Sequence, residues 1–563
     1  MCGIAGLLGP KADAADASLM IAAIAHRGPD GIRTEAGPGW AVAHARLSII
    51  DLEGGWQPLH AAGGTVIGNG EIYNYLELTR DHGLGEALAT GSDFEPLLHL
   101  FAREGAAAFE RLRGMYAFCM IGADGRAFLV RDPFGIKPLY YREAKDGLLF
   151  ASEPRALGLG RPRAEATQEL LALNYTLGRE TAFEGVMRLM PGEVIEVAGG
   201  RIVGSSQHRA VFGAAPPRGE AAGLLRDLDL RLEDSVRIHQ RSDVPYGLFL
   251  SGGIDSSAIA VLMARLNDRP VTAYTCGFDA PGARDERGQA EKLARALDLD
   301  WRETTFGEAD FWRIAPQVAW AMDDPTSDYA ALPTYKLAEA AKGTLTVVLT
   351  GEGGDELFGG YGRYRRALRP AWLGGRAPEP QVDAAGAAAL ARWRAATAPP
   401  PGLTRLQQAQ ARDIKGWLPN DLLLKLDRCL MAHGLEGRTP FLEPELARFA
   451  LALPDRFKVR GGAGKWLLRR WLNQACPAAD ACGKKKGFTV PVAHWIAPRA
   501  ADLGPRLAAH PGVRAFRDPA EVEAIFRDPS RADRLWPLLF FALWWSIHIE
   551  RASPDEAMAA LIR

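Results

Sequence analysis

Short apolar runs broken by glycine and proline fill the first two hundred residues, at 40–44, 46–51, 65–68, 117–121, 127–130, 148–151 and 193–197. Runs of this length between turn-forming residues predict antiparallel strands, stacked in two layers with a few helices. The pattern dissolves over 207–222, where Gly213-Ala214-Ala215-Pro216-Pro217-Arg218-Gly219 reads as a linker. Beyond it the period changes. A helix at 224–240, a strand at 246–250, a helix at 256–267, a strand at 272–278 and a helix at 287–297 alternate, which predicts a parallel, doubly wound sheet. From about residue 379 the chain turns Ala- and Arg-rich and mostly helical, and the Ala/Pro-rich piece 379–401 reads as a mobile surface loop. The apolar stretch 535–549 is shorter than a membrane span and carries Pro537 and His548, so a buried helix is expected. The expected division is residues 1–206, a linker 207–222, and 223–563.

With 563 residues the chain exceeds one ordinary core, in keeping with that division. A hydrophobic fraction of 47% and a charged fraction of 24% are those of a globular protein in water. The net charge of -1 gives no global attraction to nucleic acid or anionic membrane, so neither is expected as a partner and any phosphate site must be local. Cys2, Cys119, Cys276, Cys429, Cys476 and Cys482 are scattered without a Cys-x-x-Cys pair, which argues for a reducing compartment and against a cysteine zinc site. The start of the chain lacks a basic n-region and is broken by Pro10 and Lys11, so no signal peptide is read and a cytoplasmic location is expected.

The chemistry begins at Met1-Cys2-Gly3-Ile4-Ala5-Gly6. Removal of the initiator methionine would leave Cys2 with both a thiol and a free α-amine. An amine of pKa about 7.7–8.0 is matched to take the proton of a thiol of pKa about 8.5. Downstream, Arg46, Asn69-Gly70-Glu71 and Gly91-Ser92-Asp93 sit near expected strand ends, where loops converge. Together they supply what an amino acid with a side-chain amide requires. Arg46 pairs with an α-carboxylate, Asp93 accepts from an ammonium, and the Asn69 amide with the Gly70 N–H holds a developing oxyanion. Taken singly, each has a plainer reading: a surface charge, a hairpin turn, a helix N-cap.

MCGIAG, His26-Arg27-Gly28-Pro29-Asp30, HARLSIIDLEGGWQPL, NGEIYN, GSDFE and RDPFGIKPLYY resemble the class II glutamine amidotransferase domain. The resemblance implies an α+β N-terminal-nucleophile αββα sandwich that hydrolyses glutamine to glutamate and ammonia. It carries Cys2, Arg46, Asn69, Gly70, Glu71 and Asp93 across as site residues.

In the second half the apolar strand ending at Leu250 runs into Ser251-Gly252-Gly253-Ile254-Asp255-Ser256-Ser257 and a helix. A glycine-rich turn at a helix N-terminus offers backbone N–H groups, the helix dipole and serine hydroxyls to an anion. Without a Gly-Lys-Ser/Thr ending it is not the common γ-phosphate loop. A second apolar strand at 345–349 ends in Thr350-Gly351-Glu352-Gly353-Gly354-Asp355-Glu356. In an open α/β sheet both loops face one crevice, so Asp255 and Asp355 can hold Mg²⁺ against a polyphosphate.

The first loop resembles the pyrophosphate loop of N-type ATP pyrophosphatases, which implies cleavage of ATP to AMP and pyrophosphate. The order of motifs, through Asp323-Asp324-Pro325, Met431 to Leu442 and Gly483 to Phe488, resembles the synthetase domain of class B asparagine synthetases. That likeness implies that Glu352 assists formation and aminolysis of an acyl-adenylate and that Lys465 stabilises charge at the reacting phosphate. It places Leu250, Cys276, Thr350 and Gly351 at the nucleotide, with Ser251, Gly252, Gly253, Ser256 and Ser257 in the loop. It implies the substrates glutamine, ATP and aspartate, and a homodimer. Because ammonia is mostly ammonium in neutral water, a shielded passage between the halves is expected.

One departure stands out: Gly354 replaces a serine found in many such synthetases, which leaves the acceptor carboxylate open to others, such as a peptide or polysaccharide precursor. A β-lactam-forming relative and a non-catalytic nucleotide-binding regulator are the remaining alternatives. The intact Cys2, Arg46, Asn69 and Asp93 speak against the first, and the presence of both catalytic sets speaks against the second.

Overall fold

A computed structural model of the chain describes residues 2–562 other than 209–210, 218, 281–285, 376–377, 484–488, 529–530 and 532–533. Two six-stranded sheets, antiparallel throughout, build the first half. Across the first the strands run Met187–Arg188, Tyr140–Ala144, Gly147–Ala151, Gly3–Leu8, Trp40–Arg46 and Gly31–Gly37. Across the second they run Arg201–Gln207, Glu193–Ala198, Ala127–Arg131, Gly114–Ile121, Gly64–Ile72 and Leu59–Ala61. Their inner faces meet in a dry layer of Ile4, Leu8, Val42 and Phe150 against Ile67, Cys119, Leu129 and Ile195. Helix Glu95–Glu104 lays Leu97 and Leu98 beside Phe118 and Met120 on the outside of the second sheet. Helix Ala14–Ala22 lays Ala17 and Ile21 beside Ala5 and Ala43 on the outside of the first.

The second half carries a five-stranded parallel sheet in the order Asp300–Phe306, Thr272–Phe278, Tyr246–Phe249, Val347–Leu349, Glu436–Arg438. The strand at 246–249 is its topological switch point, with later strands added first on one side and then on the other. The regular elements described beyond residue 379 are helices, apart from the strand Glu436–Arg438. Helix Leu535–His548 buries Trp536, Phe540 and Trp544, as its composition predicts. Among the described residues no helix is long and apolar enough to cross a membrane, and all six cysteines are free.

Two expectations are corrected. The run 46–51 is not a strand: the Trp40–Arg46 strand ends and Asp51 takes a left-handed φ of 51°. The Arg46 guanidinium donates to the Asp51 and Leu52 carbonyls at 2.6 and 2.9 Å, and these bonds hold the chain as a loop. The piece 379–401 is not a mobile loop either, since it contains the helix Ala387–Ala396. Alanine is the strongest helix former, and Ala389 and Trp393 bury against Leu173, Tyr175 and Leu177 of the first half.

A layer of buried charge joins the halves. Arg27, fully buried, reaches Asp427 at 2.8 Å and Glu153 at 2.9 Å. Arg428 reaches Glu153 at 3.2 Å and Asp323 at 3.0 Å. Arg188 forks onto Asp324, with Nε and Nη2 each at 2.6 Å from an oxygen, and the Tyr140 hydroxyl adds a bond at 3.0 Å. Buried pairs of this kind add little net stability when intact, but removing one partner leaves an uncompensated charge at a cost of about 3–5 kcal/mol. They therefore fix the orientation of the halves rather than merely holding them together.

Candidate active site

Cys2 lies at the start of a central strand of the first sheet, across from the end of the strand carrying Asn69. Its N–H donates to Asn69 Oδ1 at 3.2 Å, and its thiol points to the Leu47 carbonyl at 3.8 Å. Burial pushes the thiol pKa up, and the positive charge at the amino terminus opposes that shift. Asn69 is fully buried, and among the described residues its Nδ2 has no hydrogen-bond partner. A buried, unpartnered amide donor costs about 1–3 kcal/mol, and an oxyanion beside Cys2 would satisfy it. Next to it, Gly70 has φ +135°, and a Cβ there would lie 2.0 Å from the Met115 carbonyl oxygen. Only glycine lets the two strands approach this closely.

The same pocket gathers negative charge. Asp93 Oδ2 accepts from the Ile72 N–H at 2.7 Å, and burial, reinforced by Glu436, lifts its pKa to about 7. Burial, Asp93 and Glu436 together push Glu71 well above the usual carboxylate range. These three carboxylates share the Arg438 guanidinium, 2.6 Å from Glu436 and 3.6 Å from Glu71, and a further cation such as an α-ammonium would offset the remaining charge. Arg46 is buried, lies 4.8 Å above the Trp56 ring, and has committed two of its five donors to carbonyls.

In the second half, strands 246–249 and 347–349 are parallel neighbours, so the loops that follow them open on one crevice at the switch point. Gly252 needs its φ of +70°, and the Ser251 hydroxyl accepts from the Gly253 N–H at 3.2 Å and meets Ser256 Oγ at 3.0 Å. Ser257, at the helix N-terminus, has a buried hydroxyl with no hydrogen-bond partner among the described residues. Leu250 is buried, with its N–H on the Tyr274 carbonyl at 2.8 Å, and Cys276 ends up on the adjoining strand. The Thr350 N–H donates to the Arg438 carbonyl at 2.8 Å and leads into Gly351.

Lys465 sits in a left-handed turn at φ +56° that caps helix Trp466–Ala475. Its buried ammonium contacts Asp255 and lies 2.7 Å from Asp355. As an isolated lysine in the sequence it carries little signal; the turn is what aims it into the crevice. The carboxylates of Asp255 and Asp355 thus meet at the Lys465 ammonium; they are hard oxygen donors of the type that holds Mg²⁺ beside phosphates, and among the described residues no cluster of three or more metal-ligating side chains is present. A Cβ at Gly354 would stand 2.4 Å from Asp255 Oδ1, so the missing side chain is what gives Asp255 this position. Burial raises Glu352 above the ordinary glutamate range, with Lys425 opposing and Asp328, Asp355 and Asp255 adding to the rise.

The structure thus gathers Cys2, Arg46, Asn69, Gly70, Glu71 and Asp93 in the first half and sets the 251–257 loop, the 350–356 loop and Lys465 side by side in the second. The Gly483-to-Phe488 motif falls mostly on residues 484–488, which lie outside the described residues, as do Met1 and residues 209–210 and 218 of the linker. Sequence reasoning missed Glu436 and Arg438, which reach the amidase pocket from the far half. Their signal was present in the Glu436-Gly437-Arg438 motif, but nothing in it named a partner.

A glutamine amidotransferase domain family matches residues 1–208, and the asparagine synthase family matches residues 227–546. The chain is 32% identical to asparagine synthetase [glutamine-hydrolyzing] 1 of Bacillus subtilis (strain 168), with 99% of this chain and 98% of that protein covered. It is 28% identical to asparagine synthetase B [glutamine-hydrolyzing] of Escherichia coli (strain K12), with 88% and 83% covered. A solved glutamine phosphoribosylpyrophosphate amidotransferase from B. subtilis overlaps at a TM-score of 0.29 and 15% identity, covering 54% of this chain and 81% of that chain, too low to carry a fold assignment. An amide-donor pocket and an adenylation crevice in one chain define an ATP-dependent ligase that draws its nitrogen from glutamine. The chain belongs to the family of glutamine-hydrolysing asparagine synthetases.

Proposed function

We propose that this enzyme makes asparagine from aspartate, ATP and glutamine, with residues 1–206 as an N-terminal-nucleophile glutaminase and 223–563 as the synthetase. Cys2, freed of Met1, attacks the glutamine amide, whose oxyanion is held by Asn69 and Gly70. Arg46 takes the α-carboxylate, and Asp93 and Glu71 take the ammonium. The ammonia released crosses to the crevice, where aspartate is activated as its adenylate with loss of pyrophosphate. There Lys465 steadies phosphate charge and Glu352, whose pKa burial raises, moves protons during aminolysis. Asp255 and Asp355 would hold Mg²⁺, which when bound would supply charge neutralisation at the leaving group. The reading includes a cytoplasmic homodimer.

What supports this reading is the buried ionic layer joining the halves, with Cys2 and Asn69 in the first half and the 251–257 and 350–356 loops in the second. Purified protein given ATP, Mg²⁺, aspartate and amide-¹⁵N glutamine should yield labelled asparagine, AMP and pyrophosphate in equal amounts. Pyrophosphate release that ignores aspartate would reject the acceptor. One feature favours a second reading, in which the carboxylate rides on a larger scaffold. A cavity of about 720 Å³ lies beside the synthetase crevice, lined by Tyr329, Arg363, Trp393, Trp417 and Asp328, whose carboxylate holds Lys425 at 2.8 Å. That volume is typical for drug-sized ligands rather than for a free amino acid.

A further inference from the structure

We propose that Arg438, a residue of the synthetase half, is a positioning residue for the glutaminase: it sets Glu71 for the glutamine ammonium and ties that pocket to the nucleotide loop. The inference rests on the two-site reading above.

Arg438 is fully buried at the end of the last strand of the parallel sheet. Its Nε donates to Glu436 Oε1 at 2.6 Å, and its Nη1 donates to the His239 and Arg241 carbonyls at 2.8 and 2.7 Å. Nη2 faces Glu71 Oε1 at 3.6 Å, an ion pair just beyond hydrogen-bond distance. Among the described residues, Arg438 Nη2 and Glu71 Oε2 are buried without hydrogen bonds, and so is the hydroxyl of Tyr73, whose ring centroid is 5.4 Å from the Arg438 guanidinium. With Asn69 Nδ2 this makes four unpartnered buried polar atoms around one pocket. Native interiors rarely tolerate such groups without a reason, and a ligand carrying both donors and acceptors supplies one.

The backbone of the same residue belongs to the other site. The Arg438 carbonyl accepts from the Thr350 N–H at 2.8 Å and from its hydroxyl at 3.4 Å, and Arg438 pairs with Leu349 in the sheet. Thr350 and Gly351 open the loop that carries Glu352 and Asp355. One residue thus touches the nucleotide loop through its main chain and the glutamine pocket through its side chain. Movement of that loop is transmitted to the Glu71 pair, where closing a gap of a few tenths of an ångström changes how firmly Glu71 is held.

The test compares Arg438→Gln, Glu71→Gln and the double variant of the full chain. Arg438→Gln should raise the glutamine KM roughly tenfold, because Glu71 loses the coupling to the buried guanidinium that faces it, while the ammonium-supported rate of synthesis stays within about threefold of wild type. A purely structural residue would depress both activities together, and that result overturns the proposal. Should Arg438→Gln fail to fold, Glu71→Gln carries the same expected KM rise. The double variant should be no worse than the worse single one, because both act on one contact; multiplied effects refute the pairing. Wild-type glutamine KM should differ with and without ATP plus aspartate, and this difference should vanish in Arg438→Gln; an unchanged wild-type KM overturns the tie to the nucleotide loop. A wild-type protein inert with ammonium as well would instead refute the two-site reading itself.

Discussion

Replacing Asn69 tests the amidase pocket most finely, because its two polar ends do different work. Oδ1 accepts from Cys2 N–H at 3.2 Å, whereas Nδ2 is buried with no partner among the described residues. Asn69→Ala removes both ends. Loss of one oxyanion donor is worth about 2.7–4 kcal/mol, or about 10²–10³ in kcat, and loss of the neutral hydrogen bond to Cys2 adds about 1 kcal/mol. Asn69→Asp keeps the acceptor but turns the donor into a second acceptor that repels the oxyanion. It should therefore lose at least as much activity as Asn69→Ala, despite preserving the bond to Cys2. The assay is glutamate release from glutamine, run beside ammonium-supported synthesis as a control for folding. Both variants should keep the control within about threefold, since the perturbation is confined to transition-state binding at a separate site. If Asn69→Asp kept more than a tenth of the wild-type glutaminase kcat, the donor assignment would be wrong. A parallel fall in the control would mean that Asn69 is only structural.

Lys465→Met should leave glutaminase within about threefold and cut ammonium-supported pyrophosphate release by at least about 10²-fold, because Asp255 and Asp355 lose the charge between them; adenylation persisting at wild-type rate would remove Lys465 from the mechanism. Lys458 is fully buried, donates to Gln410 Oε1 at 2.9 Å and the Leu451 carbonyl at 2.8 Å, and burial pulls its pKa from 10.5 down to about 7. Between those values the unfolded chain binds a proton that the folded one does not, so this residue makes stability rise with pH by up to about 1.4 kcal/mol per unit. Denaturant melts of wild type and Lys458→Met at pH 7 and pH 9 should show the difference moving in favour of wild type; a difference independent of pH would mean that the lysine stays charged when folded.

The strand at 272–278 is legible because Thr272, Tyr274, Thr275 and Phe278 are residue types that suit a pleated surface. The strand Gly3–Leu8 escapes notice because its glycines and alanine carry no periodic signal, and it becomes a strand through pairing on both sides with residues 40–45 and 148–151. Edge strands such as Gly31–Gly37 and Arg201–Gln207 are mostly exposed and lack an apolar run, so they hide for a different reason. Within the site, Cys2, Asn69, Gly70 and Asp93 are readable from local motifs, since each motif brings its own chemistry. Arg438 is not, because its role depends on Glu71, placed near the other end of the chain by the docking of two halves. The helix at 387–396 shows the same limit: its Ala/Pro-rich text reads as loose until Trp393 meets Tyr175.

The central claim is that nitrogen freed at Cys2 is used at a distant adenylating crevice. The most direct measurement follows asparagine formed by Cys2→Ala with either amide-¹⁵N glutamine or ¹⁵N ammonium as the only nitrogen source. The account predicts no labelled product above background from glutamine, and a rate from ammonium within about twofold of wild type. Labelled product from glutamine at a rate near that of the unaltered enzyme would contradict it.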